Sequence, residues 1–111
     1  MKVLVSPAVR IYLREISEIM FEKEYFGFLE NAERYVEELL FDIESSLSYK
    51  HKKIAPKRFE KFGKKLLYAS FVKNKHTTWY VFFSTYRDAN GETIYLIQYI
   101  SNNHVIGHLL E

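Results

Sequence analysis

The chain has 111 residues, 48% of them apolar, which suffices for one soluble domain with one core and leaves no room for a second. Its 9 Tyr, 9 Phe and single Trp supply more apolar surface than a disordered chain carries, and the absence of cysteine excludes a disulfide scaffold, a thiolate nucleophile and any cysteine-ligated metal. The formal charge of +2 hides an asymmetry, with a sum of −5 over residues 1–48 and +7 over residues 49–111. Most of the excess lies between Lys50 and Lys75, where ten Lys and Arg side chains face only Glu60. Clustered cations of this kind suit a polyanion, because displacing condensed counterions from phosphates rewards them; an acidic protein surface is the other fitting partner, and a solvated lysine loop is the bland one.

In chain order, Val3, Leu4 and Val5 form a short apolar strand. Ser6 then suits a helix N-cap, with Pro7 at the first helical position, where its missing N–H costs nothing. Val9, Tyr12, Leu13, Ile16, Ile19 and Met20 recur at three-and-four spacing, while Arg10, Arg14, Glu15 and Glu18 take the other side. Phe26-Gly27-Phe28 breaks the pattern. A second stripe runs through Leu29, Ala32, Val36, Leu39, Leu40, Ile43 and Leu47, so the two helices form a hairpin. Periodicity disappears over 48–63, where the basic block begins and Pro56 suits the start of a short helical turn; this predicts a functional loop.

After Gly63 the period changes to two. Segments 66–73, 77–87 and 93–100 are rich in Tyr, Phe, Val and Ile and are separated by turn residues, including Asn90-Gly91. The tail from Ser101 suits a final helical turn or an extension of the last strand. The expected architecture is α+β: an N-terminal strand, a two-helix hairpin, then a three-stranded antiparallel meander, with the helices on one face of the sheet, in a single domain spanning 1–111. No apolar run approaches the roughly 18–20 residues of a membrane span, and the opening residues are too brief for a secretion signal, which predicts a cytoplasmic protein with no membrane partner.

A two-residue Asn90-Gly91 loop pairs Ala89 with Glu92, Val81 with Ile100 and Thr77 with His104. A three-residue loop at 74–76 pairs Lys73 with Thr77, so Lys73, Thr77 and His104 are expected in one row, with neighbours about 5 Å apart. Arg87, ten positions along, lies roughly 33 Å away at about 3.3 Å per residue and cannot share that site. The same register puts Leu67, Ala69, Phe71, Trp79, Val81, Phe83, Leu96 and Ile100 under the helices. It leaves Tyr68, Ser70, Tyr80, Phe82, Tyr86, Tyr95 and Tyr99 on a more open face suited to stacking bases or docking a partner segment.

The sequence has no Gly-rich phosphate loop, no His-Glu-x-x-His pair and no Gly-x-Ser-x-Gly elbow. His76, His104 and His108 lack carboxylates at ligand spacing, so neither a metal nor another cofactor is expected. What remains is acid–base work on a phosphodiester, in which an RNA 2′-hydroxyl needs a proton acceptor and the phosphorus needs cations around it. An unperturbed imidazole has its pKa near neutrality, which makes His104 the candidate acceptor, with Lys73 as its catalytic cation. Lys64, Lys65, Lys75, His76 and Thr77 are the candidate nucleic-acid contacts. The plain alternatives are an exposed tail residue for His104, a turn residue for His76 and capping roles for Asn102 and Asn103.

The element order, the opening Lys2-Val3-Leu4-Val5-Ser6-Pro7-Ala8, the helix hairpin, the segment 71–83 (FVKNKHTTWYVFF) and the ending 94–104 (IYLIQYISNNH) together resemble the RelE/ParE superfamily of bacterial toxins, over nearly the whole chain. The resemblance implies a small cytoplasmic toxin neutralised by a cognate antitoxin protein wrapped around it. RelE-like members cut mRNA on the ribosome; ParE-like members poison DNA gyrase. Lys73 matches a basic position at the end of the second strand, and His104 falls where a basic or titrating residue follows the last. Thr77-Thr78 stands where an Arg would begin the third strand, Asn102-Asn103 replaces a Lys-Arg type pair, and no Tyr follows Tyr99. These departures keep a catalytically degenerate toxin and a ParE-like inhibitor open beside a ribonuclease.

Overall fold

The computed structural model describes residues 2–23 and 27–110. Strand β1 (Lys2–Val5) leads into helix α1 (Pro7–Glu22), whose N-terminus is capped by Ser6 Oγ accepting from the Val9 N–H at 3.3 Å. Helix α2 (Leu29–Ser46) follows, with Glu30 in its first turn against the positive end of the helix dipole. The expected break at Phe26 lies outside the described residues. Of the two predicted stripes, Val9, Leu13, Ile16, Ala32, Val36, Leu39 and Ile43 are buried, whereas Ile19 and Leu29 at the stripe margins stay exposed.

The region predicted as a loop is shorter on irregular chain than expected. It holds a 3-10 turn (Leu47–Tyr49), a two-residue strand β2 (Lys53–Ile54) and a 3-10 helix (Lys57–Phe62). Strands β3 (Leu67–Asn74), β4 (Thr77–Arg87) and β5 (Thr93–Asn102) follow, and the chain ends in one helical turn, α3 (Asn103–Ile106), and a 3-10 turn (Gly107–Leu109). The molecule is thus α+β in strand, helix, helix order. Its sheet has five strands in the order β1-β5-β4-β3-β2 and is mixed, because β1 pairs parallel to β5 while the other pairings are antiparallel.

Two irregularities correct the expected register. The β4–β5 loop has three residues, not two: Asp88 receives the Gly91 N–H and donates its own to Glu92, both at 3.0 Å, with Gly91 at φ 79°. A left-handed residue ending a three-residue loop is the usual way such a hairpin closes, and glycine bears it without a β-carbon clash. Near the loop Phe83 therefore faces Ile97; beyond a bulge at Gln98, Val81 faces Ile100. The extra residue exchanges two side chains between faces, so Tyr95 packs toward the helices and edge-on to Phe83 (centroids 5.6 Å apart), and Leu96 does not.

Each face of the sheet is covered. On one, α1 and α2 bury Ala69, Phe71, Trp79, Val81, Phe83, Ile97 and Ile100. On the other, where an open tyrosine-rich surface was expected, the 3-10 helix and the C-terminal turns lie over the strands. Phe59, Leu66, Tyr68, Phe82 and Ile106 form a second cluster there, with Phe62, Tyr80, Tyr99, Leu109 and Leu110 packed against it. The expected open face fails because Phe59 and Phe62 need burial, and the spacing of three in a 3-10 helix turns both rings to the same side.

Candidate functional site

The β3–β4 turn, the end of β5 and α3 meet at one end of the sheet. Asn74 pairs with Thr77 across a two-residue Lys75-His76 turn, and the Asn74 side chain accepts from the His76 N–H at 2.8 Å. Asn102 caps α3 by accepting from the His104 N–H at 3.0 Å. Asn103 then staples α3 to the turn: its Oδ1 accepts from the Thr78 N–H at 2.9 Å and its Nδ2 donates to the His76 carbonyl at 3.1 Å. These contacts bring Thr77 Oγ1 to 3.3 Å from His104 Nε2, which makes a hydrogen bond whichever of the two is the donor.

The row predicted from the register is therefore half realised. Thr77 and His104 meet; Lys73 does not join them. The turn has two residues instead of three, so Asn74 takes the place opposite Thr77 and Lys73 becomes the unpaired bulge residue. Its side chain is turned onto α2, with Nζ 3.7 Å from Asp42 Oδ2 and 5.1 Å above the Tyr35 ring. Lys75 and His76 are exposed at the turn itself.

Lys64 and Lys65 lie elsewhere. They precede β3, whereas the turn follows it, and the seven steps from Leu67 to Asn74 span roughly 23 Å. The candidate contacts thus fall into two groups, one at the Thr77–His104 end and one beside the 3-10 helix. Asn102 and Asn103, read as capping residues, do cap and tie; the stapling role of Asn103 depends on a long-range meeting that no local pattern announces.

Among the described residues no cluster of three or more His, Asp or Glu is placed to hold a metal ion. Nor is any helix among them long and apolar enough to cross a membrane. No family model, no curated protein and no solved structure matches the chain. What the site offers chemically is one imidazole, anchored through a threonine hydroxyl, in an exposed setting beside a lysine and a second histidine.

Proposed function

We propose that this chain is the cytoplasmic toxin of a type II toxin–antitoxin pair, a RelE-like endoribonuclease that cuts mRNA on the ribosome with His104 as the proton acceptor. The observation that carries the reading is the 3.3 Å contact between Thr77 Oγ1 and His104 Nε2 in an exposed site, held by the cap that Asn102 makes on α3 and the tie that Asn103 makes to the β3–β4 turn. With Nε2 on the threonine, Nδ1 is the ring nitrogen presented to substrate. A neutral Nδ1 takes the proton of an RNA 2′-hydroxyl as the 2′-oxygen bonds to phosphorus. The bond from phosphorus to the 5′-oxygen breaks, and that oxygen takes a proton from solvent, which reaches this end freely. Lys75, in the same turn, offsets charge on the phosphate, and His76 beside it is a further contact. The scheme uses no cofactor. The strand, helix, helix order supports the family resemblance at the coarse level, and the uneven charge suits an acidic antitoxin segment that folds onto the basic surface.

One observation favours a second reading. Lys73, the cation expected to assist cleavage, is engaged by Asp42 and Tyr35. A ParE-like toxin that inhibits DNA gyrase by occupancy, or a family member that has lost cleavage, needs no such cation. Induced expression followed by mapping of RNA ends separates the readings. Cut messages with ends at codon positions are expected; intact messages with a DNA-damage response would replace the ribonuclease with the gyrase inhibitor. Co-purification of a neighbouring gene product tests the pairing with an antitoxin.

A further inference from the structure

The cations of the basic block are shared between the two faces of the sheet, and Lys50, Lys52 and Lys73 lie over Phe71, Tyr95 and Tyr35 on the helical side. Acidic side chains dominate α1 and α2 on one face, whereas segment 57–65 on the other carries Lys57, Arg58, Lys61, Lys64 and Lys65 against Glu60 alone. All five cations are exposed. The 3-10 coil gathers them: its period of three sends Phe59 and Phe62 inward and leaves Lys57, Arg58 and Lys61 outside, within a length of about 12 Å. Gly63 brings the segment down onto the bulge of β5, where an added β-carbon would come within 2.9 Å of the Gln98 amide. Lys65 adopts φ 54°, the left-handed region that a β-carbon disfavours and that glycine or asparagine occupies at less cost. A lysine at such a position points to its charge as the reason for its presence.

The aromatic rings beneath these cations are already used. Phe59 is 3% exposed and stacks on Phe82 with centroids 4.6 Å apart. Phe62 lies flat on Tyr99, centroids 3.8 Å apart and planes within 4°, and Lys61 Nζ sits 5.2 Å from the centre of the Phe62 ring. Neither ring of segment 57–65 is free for a base, and base stacking is what makes single-strand binders tight. An array of cations on a segment seated through Phe59 and Phe62 instead reads phosphate spacing.

We propose that segment 57–65 is a docking surface for the phosphate backbone of double-stranded nucleic acid, distinct from the Thr77–His104 end. The proposal deepens the nucleic-acid reading of Lys64 and Lys65, and it is tested without reference to toxicity. Purified full-length protein is titrated with a labelled RNA hairpin, a DNA duplex, a single strand carrying the same number of phosphates, and an oligo-glutamate peptide, over a series of salt concentrations. Both duplexes are expected to bind without sequence preference, the tighter one naming the natural source, with log affinity falling against log salt at a slope of roughly −3 to −5. Lys65→Gly removes one charge while easing the backbone; it should lower affinity roughly fivefold at physiological salt and flatten the slope by about 1, with stability retained. Lys57→Glu with Lys61→Glu should abolish binding. A single strand bound as well as the duplexes, peptide binding without duplex binding, or unchanged affinity in Lys65→Gly would each overturn the proposal. Duplex binding by a protein that cuts no RNA in cells leaves this inference standing and removes the ribonuclease; cutting without duplex binding does the reverse.

Discussion

Trp79 donates its indole N–H to the Tyr35 hydroxyl at 3.0 Å, which joins the middle of the sheet to α2 through a polar bond inside the larger apolar cluster. Lys73 Nζ rests over the same tyrosine ring, so the bulge at the end of β3 is tied to the same point. Trp79 is 2% exposed, so its N–H is left short of a partner when the acceptor is lost. Tyr35→Phe keeps the ring and removes the oxygen, and should cost about 1–3 kcal/mol in denaturant unfolding. A loss below a few tenths of a kcal/mol would show that the bond is not formed in solution.

His104→Gln retains hydrogen-bonding capacity toward Thr77 but cannot accept the substrate proton. Growth inhibition and RNA cleavage should fall by roughly 10²- to 10⁴-fold, with the fold intact by circular dichroism. Thr77→Val should reduce the rate less, since it frees the ring without removing it. A fully toxic, folded His104→Gln protein would end the role assigned to this histidine.

Gly91 closes the β4–β5 loop at φ 79°, and a β-carbon there would meet nothing within 4 Å. Any cost of substitution is therefore backbone conformation alone. Gly91→Ala should destabilise by about 1 kcal/mol, and Gly91→Asn by less, because asparagine tolerates the left-handed region. Equal losses in the two variants would point to some cause other than the backbone.

The hydroxyl of Tyr12 is held above its ordinary pKa, first by burial and second by the nearby Tyr99. The folded state thus favours the neutral phenol, and between the unfolded and folded values the unfolded chain binds fewer protons. Stability from this group is fully present below about pH 10 and is lost as pH rises through the folded value. Tyr12→Phe should flatten the alkaline limb of a stability–pH curve. An unchanged limb would place the alkaline sensitivity elsewhere.

The helices were legible because burial on one side leaves a stripe, and the strands because Tyr, Phe, Val and Ile cluster at period two. The meeting of Thr77 with His104 was legible for a less direct reason. The Asn90-Gly91 pair predicts a two-residue loop where three residues stand, and no local pattern marks the bulge at Gln98; the two differences cancel, so Val81 falls opposite Ile100 as expected. Where they do not cancel, between the loop and the bulge, Tyr95 and Leu96 lie on the faces opposite to those the expected register gives them. Lys73 falls outside the expected row because either turn length suits Asn74-Lys75-His76, and the two-residue turn makes Lys73 the bulge residue, turned onto α2. The second cluster did leave a trace, the spacing of three between Phe59 and Phe62, hidden by the lysines around it.

The two apolar clusters share the strands but no residue, and they differ in kind. The larger rests on two helices that are themselves long; the smaller is covered by pieces of three to six residues whose hold depends on Phe59, Phe62, Ile106 and Leu109. Partial opening therefore has a direction. The basic segment and the C-terminal turns can lift away while the helical side remains closed, and amide hydrogens there should exchange with solvent well before those of α1 and α2. Each such opening uncovers Tyr68 and Phe82 together, a flat aromatic strip on a twisted sheet, so self-association under mild destabilisation should begin on the same face that carries the cations, where mutual repulsion between copies works against it.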